Sequence, residues 1–351
     1  LFGRGGERLM RILCVGRRLI GGGAERAQMN FLRAAGERKI SLRVIYLKSG
    51  GELADETLKQ TPVEFLTEPQ QSLWPRVFRI LWRLFVAARE ADVVFAMQEG
   101  TPIYLAAIAA RLAGKPCVGW NHGLPRQDVF FGWHKAVMPL LYRLTRRIIC
   151  VTQSQRAEWE ATTGTLGNRF CVVPVPIEIG QIRKSAGEEL PPEAAWMTRT
   201  RIVLGLGRLR RLKRFDLLIR AASSLWTERR HFRVLILGSG EKLAQLERVT
   251  EEQGAAGYVV FLPFDPNPYR YIARCSVLVV PSLWESFGMV AIEALALGKV
   301  VVGTTSWKAF PEILGSEPDG LGIITEDTPE ALAEGINAAL NMPNNDEVVA
   351  R

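Results

Sequence analysis

The stretch VLVVPSLWESFGMVAIEALALGKVVVGT, residues 277–304, contains one complete unit of the fold. Its ends, VLVVPS (277–282) and KVVVGT (299–304), are short β-branched runs with no polar face, the pattern of parallel strands covered on both sides. The segment between them, GMVAIEALALG (288–298), is rich in good helix formers and reads as a helix. Strand, helix, strand in that order is a βαβ unit. Two carboxylates, Glu285 and Glu293, interrupt this apolar run, with Gly288 between them. An ionised carboxylate taken out of water without a partner is strongly disfavoured, so each needs something to pair with.

Working outward, the same rhythm fills the second half. RIVLGLG (201–207), FRVLILG (232–238) and YVVFL (258–262) read as strands; RFDLLIRAASSLW (214–226), EKLAQLERVTEEQ (241–253), PNPYRYIARC (266–275) and TPEALAEGINAALN (328–341) read as helices. The first half repeats the theme less cleanly, with strands expected at 11–16, 42–47, 92–97, 116–120 and 147–152 and helices near 24–36, 75–90, 102–113, 134–145 and 154–163. The prolines and charges of 174–200 follow no sustained period, as in a linker. The expected class is α/β, with two Rossmann-like doubly wound parallel-sheet domains at 10–173 and 201–351 joined by that linker across a cleft. In such sheets ligands sit at the carboxyl ends of the strands.

Composition bounds the rest. At 351 residues, with 48% hydrophobic and 23% charged residues, the chain fits two globular domains and not a disordered one. It shows no apolar run long enough to span a bilayer and no signal-peptide pattern, so a cytoplasmic protein is expected. Five scattered cysteines without a Cys-x-x-Cys pair suit buried free thiols, and three histidines at no ligand spacing argue against zinc. The net charge of +9 is uneven: residues 1–190 carry 27 Lys/Arg against 17 Asp/Glu, the remainder 18 against 19. A basic first half draws anionic partners or is simply solvated. Nucleic acid is disfavoured because no aromatic platform or recognition motif accompanies the charge. Met10 precedes the first strand, so residues 1–9 are expected to be a leader.

Four clusters fall at strand ends. LIGGGAERAQ (19–28) opens a helix with glycines, Gly22 and Gly23 among them, which allow close backbone approach and offer N–H groups to an anion. A glycine turn of this kind is also common for steric reasons, and it lacks the full G-x-G-x-x-G pattern. In GRLRRLKRFD (207–216), Arg208 and Lys213 bracket a turn suited to a pyrophosphate. In the opening stretch, the amides of Phe287, Gly288 and Met289 are expected to be donors, and Glu285 and Glu293 can each clasp a diol. WNHGLP (120–125) puts His122 at a strand end, although a lone histidine is more often structural.

With these clusters in order, the chain resembles retaining glycosyltransferases of the two-Rossmann-domain GT-B type, specifically the large group 1, family 4-like branch of bacterial lipopolysaccharide, capsule and lipid-mannoside transferases. The residues that carry the resemblance are GGGAER (21–26), GRLRRLKRFDLLI (207–219), LGSGEKLAQLE (237–247), ESFGMVAIEALALGKVVVGT (285–304) and PEIL (311–314). The resemblance implies that Glu285 and the amides of Phe287 to Met289 touch the donor sugar or phosphate, and that Glu293 holds the ribose. It implies that Arg208 and Lys213 neutralise the leaving diphosphate, with Gly22 and Gly23 approaching it from the other domain. His122 is implied near the transferred sugar and Phe264 as a wall for the base. No Asp-x-Asp is present, so no metal or other cofactor is expected, and the implied reaction is front-face transfer from a nucleotide sugar, UDP-sugar favoured over GDP-sugar.

The resemblance also implies that the first domain (10–173) binds the acceptor, a saccharide or lipid-linked saccharide, and the second (201–351) the nucleotide sugar. LWPRVFRILWRLFVAARE (73–90) and WHKAVMPLLYRLTRRI (133–148) read as basic amphipathic helices that either lie on an anionic membrane, making the protein peripheral on its inner face, or cover the core. Relatives usually end in a long returning helix, whereas only MPNNDEVVAR follows residue 341, so a truncated end is expected. A GT-B-type sugar-nucleotide epimerase and a non-catalytic sugar-nucleotide or glycan binding protein remain alternatives.

Overall fold

The computed structural model describes residues 9–20, 22–38, 40–51, 62–125, 133–164, 166–228, 231–314 and 322–342. Most of the expected leader, Gly21 of the glycine loop, and the segment after Met342 lie outside the described residues. The chain divides into two compact units, residues 1–176 and 177–351.

In the first unit, strands β1 (Arg11–Gly16), β2 (Ser41–Tyr46), β3 (Val63–Phe65), β4 (Val93–Ala96), β5 (Cys117–Trp120), β6 (Arg147–Cys150) and β7 (Phe170–Val172) form a parallel sheet in the order β3-β2-β1-β4-β5-β6-β7. Its described helices are α1 (Gly23–Glu37), α2 (Val77–Glu90), α3 (Thr101–Leu112), α4 (Trp133–Tyr142) and α5 (Gln153–Thr163). Leu13, Val15, Ile45 and Val94 from the strands meet Leu84, Ile103 and Ala106 from the helices in one core. The alanines of α3 let it lie close on the sheet: a Cβ at Gly119 of β5 would come within 2.7 Å of Ile103 Cδ1.

In the second unit, β8 (Arg201–Leu206), β9 (Phe232–Leu237), β10 (Val259–Leu262), β11 (Val277–Val280), β12 (Val300–Thr304) and β13 (Gly322–Thr325) form a second parallel sheet, ordered β10-β9-β8-β11-β12-β13. Its described helices are α6 (Ile179–Ala186), α7 (Phe215–Glu228), α8 (Leu243–Glu252), α9 (Tyr269–Ile272), α10 (Met289–Ala296), α11 (Phe310–Leu314) and α12 (Pro329–Asn341). Core layers cover the sheet on both faces, which is why its strands carry no polar side.

Two features differ from the sequence reading. The aperiodic stretch 174–200 is not a free linker in its greater part: α6 and a 3-10 turn, Pro192–Arg199, belong to the second unit. Ala194 and Met197 are buried against Ile202, Leu204 and Tyr271, and Asn267 Nδ2 donates to the Ser185 carbonyl at 2.9 Å. Prolines that break a helical period also start a 3-10 turn, and Pro192 does so here. Helix α2 also differs, because the aromatics expected on one broad apolar side with Leu81 and Phe85 do not lie on its buried face. Ile80, Leu84, Ala87 and Ala88 face the core, whereas Phe78 and Trp82 are 85% and 62% exposed, as is Trp74 (56%) in the 3-10 turn Trp74–Arg76 that precedes the helix.

In each sheet the chain winds one way and then the other, reversing between β1 and β4 and between β8 and β11. Loops leaving the carboxyl ends of such a strand pair part in opposite directions and open a crevice, the usual ligand position in doubly wound sheets.

Candidate functional site

In the second unit, the crevice lies between the loop after β8 (207–214) and the loop after β11 (281–288). The first loop passes Gly207 at φ +147°, makes a 3-10 turn over Arg211–Lys213 and enters α7 through Arg214. The Leu283 N–H donates to the Leu212 carbonyl at 2.9 Å and stitches the loops together. Beside that stitch, Lys213 Nζ lies 2.5 Å from Glu285 Oε1, which also accepts from Ser282 Oγ at 2.8 Å. The two charged side chains are only 20% and 14% exposed, so their attraction is weakly screened. The strand order thus brings together residues more than seventy positions apart.

Gly288 follows in the left-handed conformation, φ +71°, as the N-cap of α10. A side chain is excluded there twice over, since a Cβ would also meet Trp307 Cζ2 at 2.1 Å. The turn leaves the first N–H groups of α10 without intrahelical partners. One turn along, Glu293 is buried, 3% exposed, and its Oε1 accepts from Tyr269 Oη at 3.2 Å. Tyr269 is held in turn by its own N–H to Asn267 Oδ1 at 3.2 Å.

The loops after β8 and β9 lie back to back. A Cβ at Gly238 would sit 2.0 Å from the Gly207 carbonyl oxygen and one at Gly240 2.4 Å from that of Leu209, which explains the glycines of LGSG (237–240). Ser239 Oγ accepts from the Phe264 N–H at 3.1 Å and places Phe264 beside these loops. Arg208 is half-buried in the same loop.

In the first unit, Gly22 is the extended N-cap of α1 and Gly23 its first residue, at the carboxyl end of β1. His122 follows β5 in a loop fixed from several sides. Gln155 Nε2 donates to the carbonyls of Asn121 (3.2 Å) and Gly123 (2.9 Å), Trp159 Nε1 donates to Gly123 (2.9 Å), and Tyr142 Oη donates to Asn121 Oδ1 (3.3 Å). Glu99, after β4, accepts the His122 N–H at 2.8 Å, and burial pushes its carboxyl above the usual range. Burial holds the His122 imidazole down to about 3 against the pull of the Met97 carbonyl, and Nε2 is buried without a partner among the described residues. The ring is therefore neutral at working pH and keeps one nitrogen free.

A pH effect follows from this geometry. Because the folded-state value lies below the unfolded one, the unfolded chain binds the extra proton between about pH 3 and 6.5, and His122 removes stability as pH falls through that window. His122→Gln is expected to lose less stability than wild type between pH 7 and pH 5, by up to about 2 kcal/mol. Paired urea melts at the two pH values measure this, and equal losses would rule it out.

Arg208, Lys213, Glu285, Gly288, Met289, Glu293 and Phe264 all lie at or beside the carboxyl ends of the second sheet; Gly22, Gly23 and His122 occupy the corresponding ends of the first. Phe287 is half-buried in the loop before Gly288. The sequence reading did not single out Ser282, Tyr269, Ser239 or Glu99. Ser282 and Glu99 sit at strand ends, a positional signal, but nothing in PNPYRY (266–271) marks Tyr269 as the partner of Glu293. Among the described residues, no three His, Cys, Asp or Glu side chains cluster to hold a metal ion, and no helix is long and apolar enough to cross a membrane.

Comparison with known proteins agrees with this arrangement. The matched segments span less than half of two curated relatives. One is the N-acetylgalactosamine-N,N'-diacetylbacillosaminyl-diphospho-undecaprenol 4-alpha-N-acetylgalactosaminyltransferase of Campylobacter jejuni, 33% identical over 40% of this chain and 37% of its own length. The other is D-inositol 3-phosphate glycosyltransferase 2 of Catenulispora acidiphila, 35% identical over 44% and 39%. The Anabaena protein Alr3699/HepE, crystallised with UDP and glucose, superposes with a TM-score of 0.80 at 20% identity over 97% of this chain and 95% of that one, a likeness of fold. The Glycosyltransferase Family 4 model matches residues 21–181 and the Glycosyl transferases group 1 model residues 187–351. Together the two models match residues 21–181 and 187–351, which hold the whole second sheet and every strand of the first except β1, and the chain belongs to the group 1 glycosyltransferases.

Proposed function

We propose that the protein is a retaining glycosyltransferase, independent of metal, that moves a sugar from a nucleotide-sugar donor to a saccharide or lipid-linked saccharide acceptor in cell-surface glycan synthesis. A UDP-sugar is the favoured donor over a GDP-sugar. The observation that carries the reading is the Lys213–Glu285 pair at the switch-point crevice, with Arg208 in the same loop and the N-terminus of α10 beside it.

Departure of a nucleoside diphosphate builds negative charge on phosphate and positive charge on the sugar, and fixed opposite charges are the largest stabilisation a site can supply. Lys213 and Arg208 answer the first, as does the first turn of α10. Glu285, whose Oε1 is already occupied by Lys213 and Ser282, has Oε2 left for a sugar hydroxyl. Glu293, steadied by Tyr269, suits a ribose diol, and Phe264 suits the base. In the transfer, the bond from the anomeric carbon to phosphate oxygen breaks and the acceptor oxygen bonds to the same face. The acceptor proton passes to the departing phosphate, so no side-chain base is needed. The free Nε2 of neutral His122 suits a sugar hydroxyl, and Gly22 and Gly23 leave room for close backbone approach to phosphate.

The acceptors named for the two curated relatives both carry phosphate, a diphospho-undecaprenol saccharide and an inositol 3-phosphate. Support for an acceptor at an anionic membrane comes from the exposed aromatics of α2, which are accompanied by Arg79, Arg83 and Arg89.

Thermal melts with UDP, GDP and ADP, without metal, test the donor site. UDP is expected to raise the midpoint, as a ligand bound only by the folded state must, and Glu293→Ala to abolish the rise. No shift with any nucleotide in a folded sample overturns the reading.

A further inference from the structure

The segment that carries Glu285 is held at both ends. At one end the Leu283 N–H donates to the Leu212 carbonyl at 2.9 Å, and at the other Gly288 enters α10 through its left-handed conformation. Gly288 rests on Trp307, a wholly buried residue of the turn after β12. The indole atoms that a Cβ at Gly288 would meet are Cζ2, Cη2 and Cε2, at 2.1, 2.4 and 3.1 Å, so the backbone lies against the benzo ring.

That ring is itself fixed. Phe310, at the start of α11, stacks on it with centroids 4.4 Å apart and planes 5° from parallel. Both rings close on Gly303 of β12, where a Cβ would come within 3.3 Å of Trp307 Cε3 and 2.6 Å of Phe310 Cδ1. The Trp307 N–H donates to the Thr304 carbonyl at 2.9 Å, and the Thr305 N–H donates to the Thr325 carbonyl at 2.9 Å. Ser306 Oγ donates to Asp327 Oδ2 at 2.6 Å, which ties this turn to the loop after β13. A buried polar atom without a partner is unfavourable, and Trp307 Nε1 is one among the described residues. A phenyl ring would stack on Phe310 without that penalty, so packing alone does not call for tryptophan. What the indole adds is reach: Cζ2 and Cη2 lie on its outer edge, beyond the extent of a phenyl ring.

We propose that Trp307 is a positioning residue for sugar transfer, its outer ring setting the height of the Gly288 turn and so of Glu285 and the first N–H groups of α10. The assignment rests on the transferase reading. Preorganised groups stabilise a transition state only where its charge develops, and a displacement of about 1 Å can lower the rate about 100-fold. Trp307 acts through the Gly288 backbone, and Phe310 keeps it in place.

The test is UDP release to water, measured with whichever of UDP-glucose, UDP-galactose and UDP-N-acetylgalactosamine the wild type hydrolyses fastest. Trp307→Phe keeps a ring against Phe310 and loses the contact with Gly288. Its kcat is expected to fall about 10- to 100-fold, with donor KM within about threefold of wild type and the UDP-induced rise in melting midpoint retained. Phe232→Leu, in the core layer on the other side of the second sheet, is the control, expected to lower the melting midpoint at least as far and to leave kcat within about threefold. Gly288→Ala adds a methyl group that meets the outer ring in the wild type and not in Trp307→Phe, so its effect on kcat is expected to be at least about threefold smaller in that background. Trp307→Met, a flexible filler of the same space, takes the place of Trp307→Phe if the latter does not fold. A folded variant with kcat within about threefold of wild type, a kcat loss matched by Phe232→Leu, a raised KM with unchanged kcat, or Gly288→Ala losses that simply multiply would each overturn the proposal. Failure of the transferase reading looks different, because the wild type then shows neither UDP release nor a rise with UDP.

Discussion

Lys213→Ala is expected to lower sugar transfer by about two to three orders of magnitude, the usual effect of removing one preorganised charge aimed at a leaving group. The geometry gives two reasons. Lys213 is held by Glu285 at 2.5 Å on a loop stitched through Leu212 to the loop after β11, so its ammonium group needs little reorganisation when phosphate charge develops. Its removal also leaves Glu285, 14% exposed, without its cation beside the incoming diphosphate, adding repulsion where attraction had been. Some loss of stability is expected as well, because one member of a partly buried pair is left alone. Glu285→Gln separates the two effects: it breaks the same ion pair but leaves the lysine facing the leaving group. Turnover with a UDP-sugar should therefore fall further in Lys213→Ala than in Glu285→Gln when the two melt alike. A Lys213→Ala protein that stays folded and transfers sugar within about tenfold of wild type would sink the assignment, since charge stabilisation of this kind is not worth so little. Lys213→Arg is expected to recover only part of the rate, because a fork reaches differently from a point charge.

How much of this was legible in the sequence follows from the range of the forces involved. The βαβ reading of 277–304 needs only local pattern, and β11, α10 and β12 lie within a turn of where the pattern puts them. Strands β3, β7 and β13 were not read, because VEF, FCV and GIIT are too short to show a period. Residues 174–200 read as a linker because helix α6 and the following 3-10 turn are interrupted by glycine and proline, while the contacts that fix them, Asn267 to Ser185 and Arg274 to Ala186, come from some eighty positions away. The site divides in the same way. Glu285, Glu293 and Lys213 stood out because charge in an apolar or glycine-rich context is unusual. Their partners Ser282 and Tyr269 did not, since a serine and a tyrosine near turns are ordinary. Glu99 is a similar case: its importance lies in the His122 N–H that it accepts from the neighbouring strand's loop. Helix α2 shows the limit of helical periodicity. Its pattern is amphipathic, but Phe78 and Trp82 stand among its arginines, and only burial distinguishes the apolar residues that pack from those that do not.

That unpacked face carries the other large prediction: Phe78→Glu with Trp82→Glu is expected to lower binding to phosphatidylglycerol vesicles by about two to three orders of magnitude. Phe78, Trp82 and Val86 recur every fourth residue and so form one stripe, with Arg79, Arg83 and Arg89 exposed on the same helix. An aromatic side chain offers roughly 150–250 Å² of surface. If about a third of that leaves water at the headgroup boundary, the two rings contribute roughly 2.5–4 kcal/mol at 25 cal/mol per Å², or two to three decades of affinity. Arginines near an anionic surface add about 1 kcal/mol each and are screened by salt, so wild-type binding should weaken as ionic strength rises. Arg83 is partly committed to Glu64, which makes Arg79, with no ion pair among the described residues, the cation of choice for a charge-reversal control. Arg79→Glu should flatten the salt dependence and leave most of the apolar contribution in place. Fold damage is readily separated from lost binding, because Phe78 and Trp82, at 85% and 62% exposure, contribute little to the core formed by Ile80, Leu84, Ala87 and Ala88. Unchanged melting with lost vesicle sedimentation is the expected result. Sedimentation equal to wild type would mean that the stripe is not the membrane face, and a melting point lowered by several degrees would mean that these aromatics serve the fold instead.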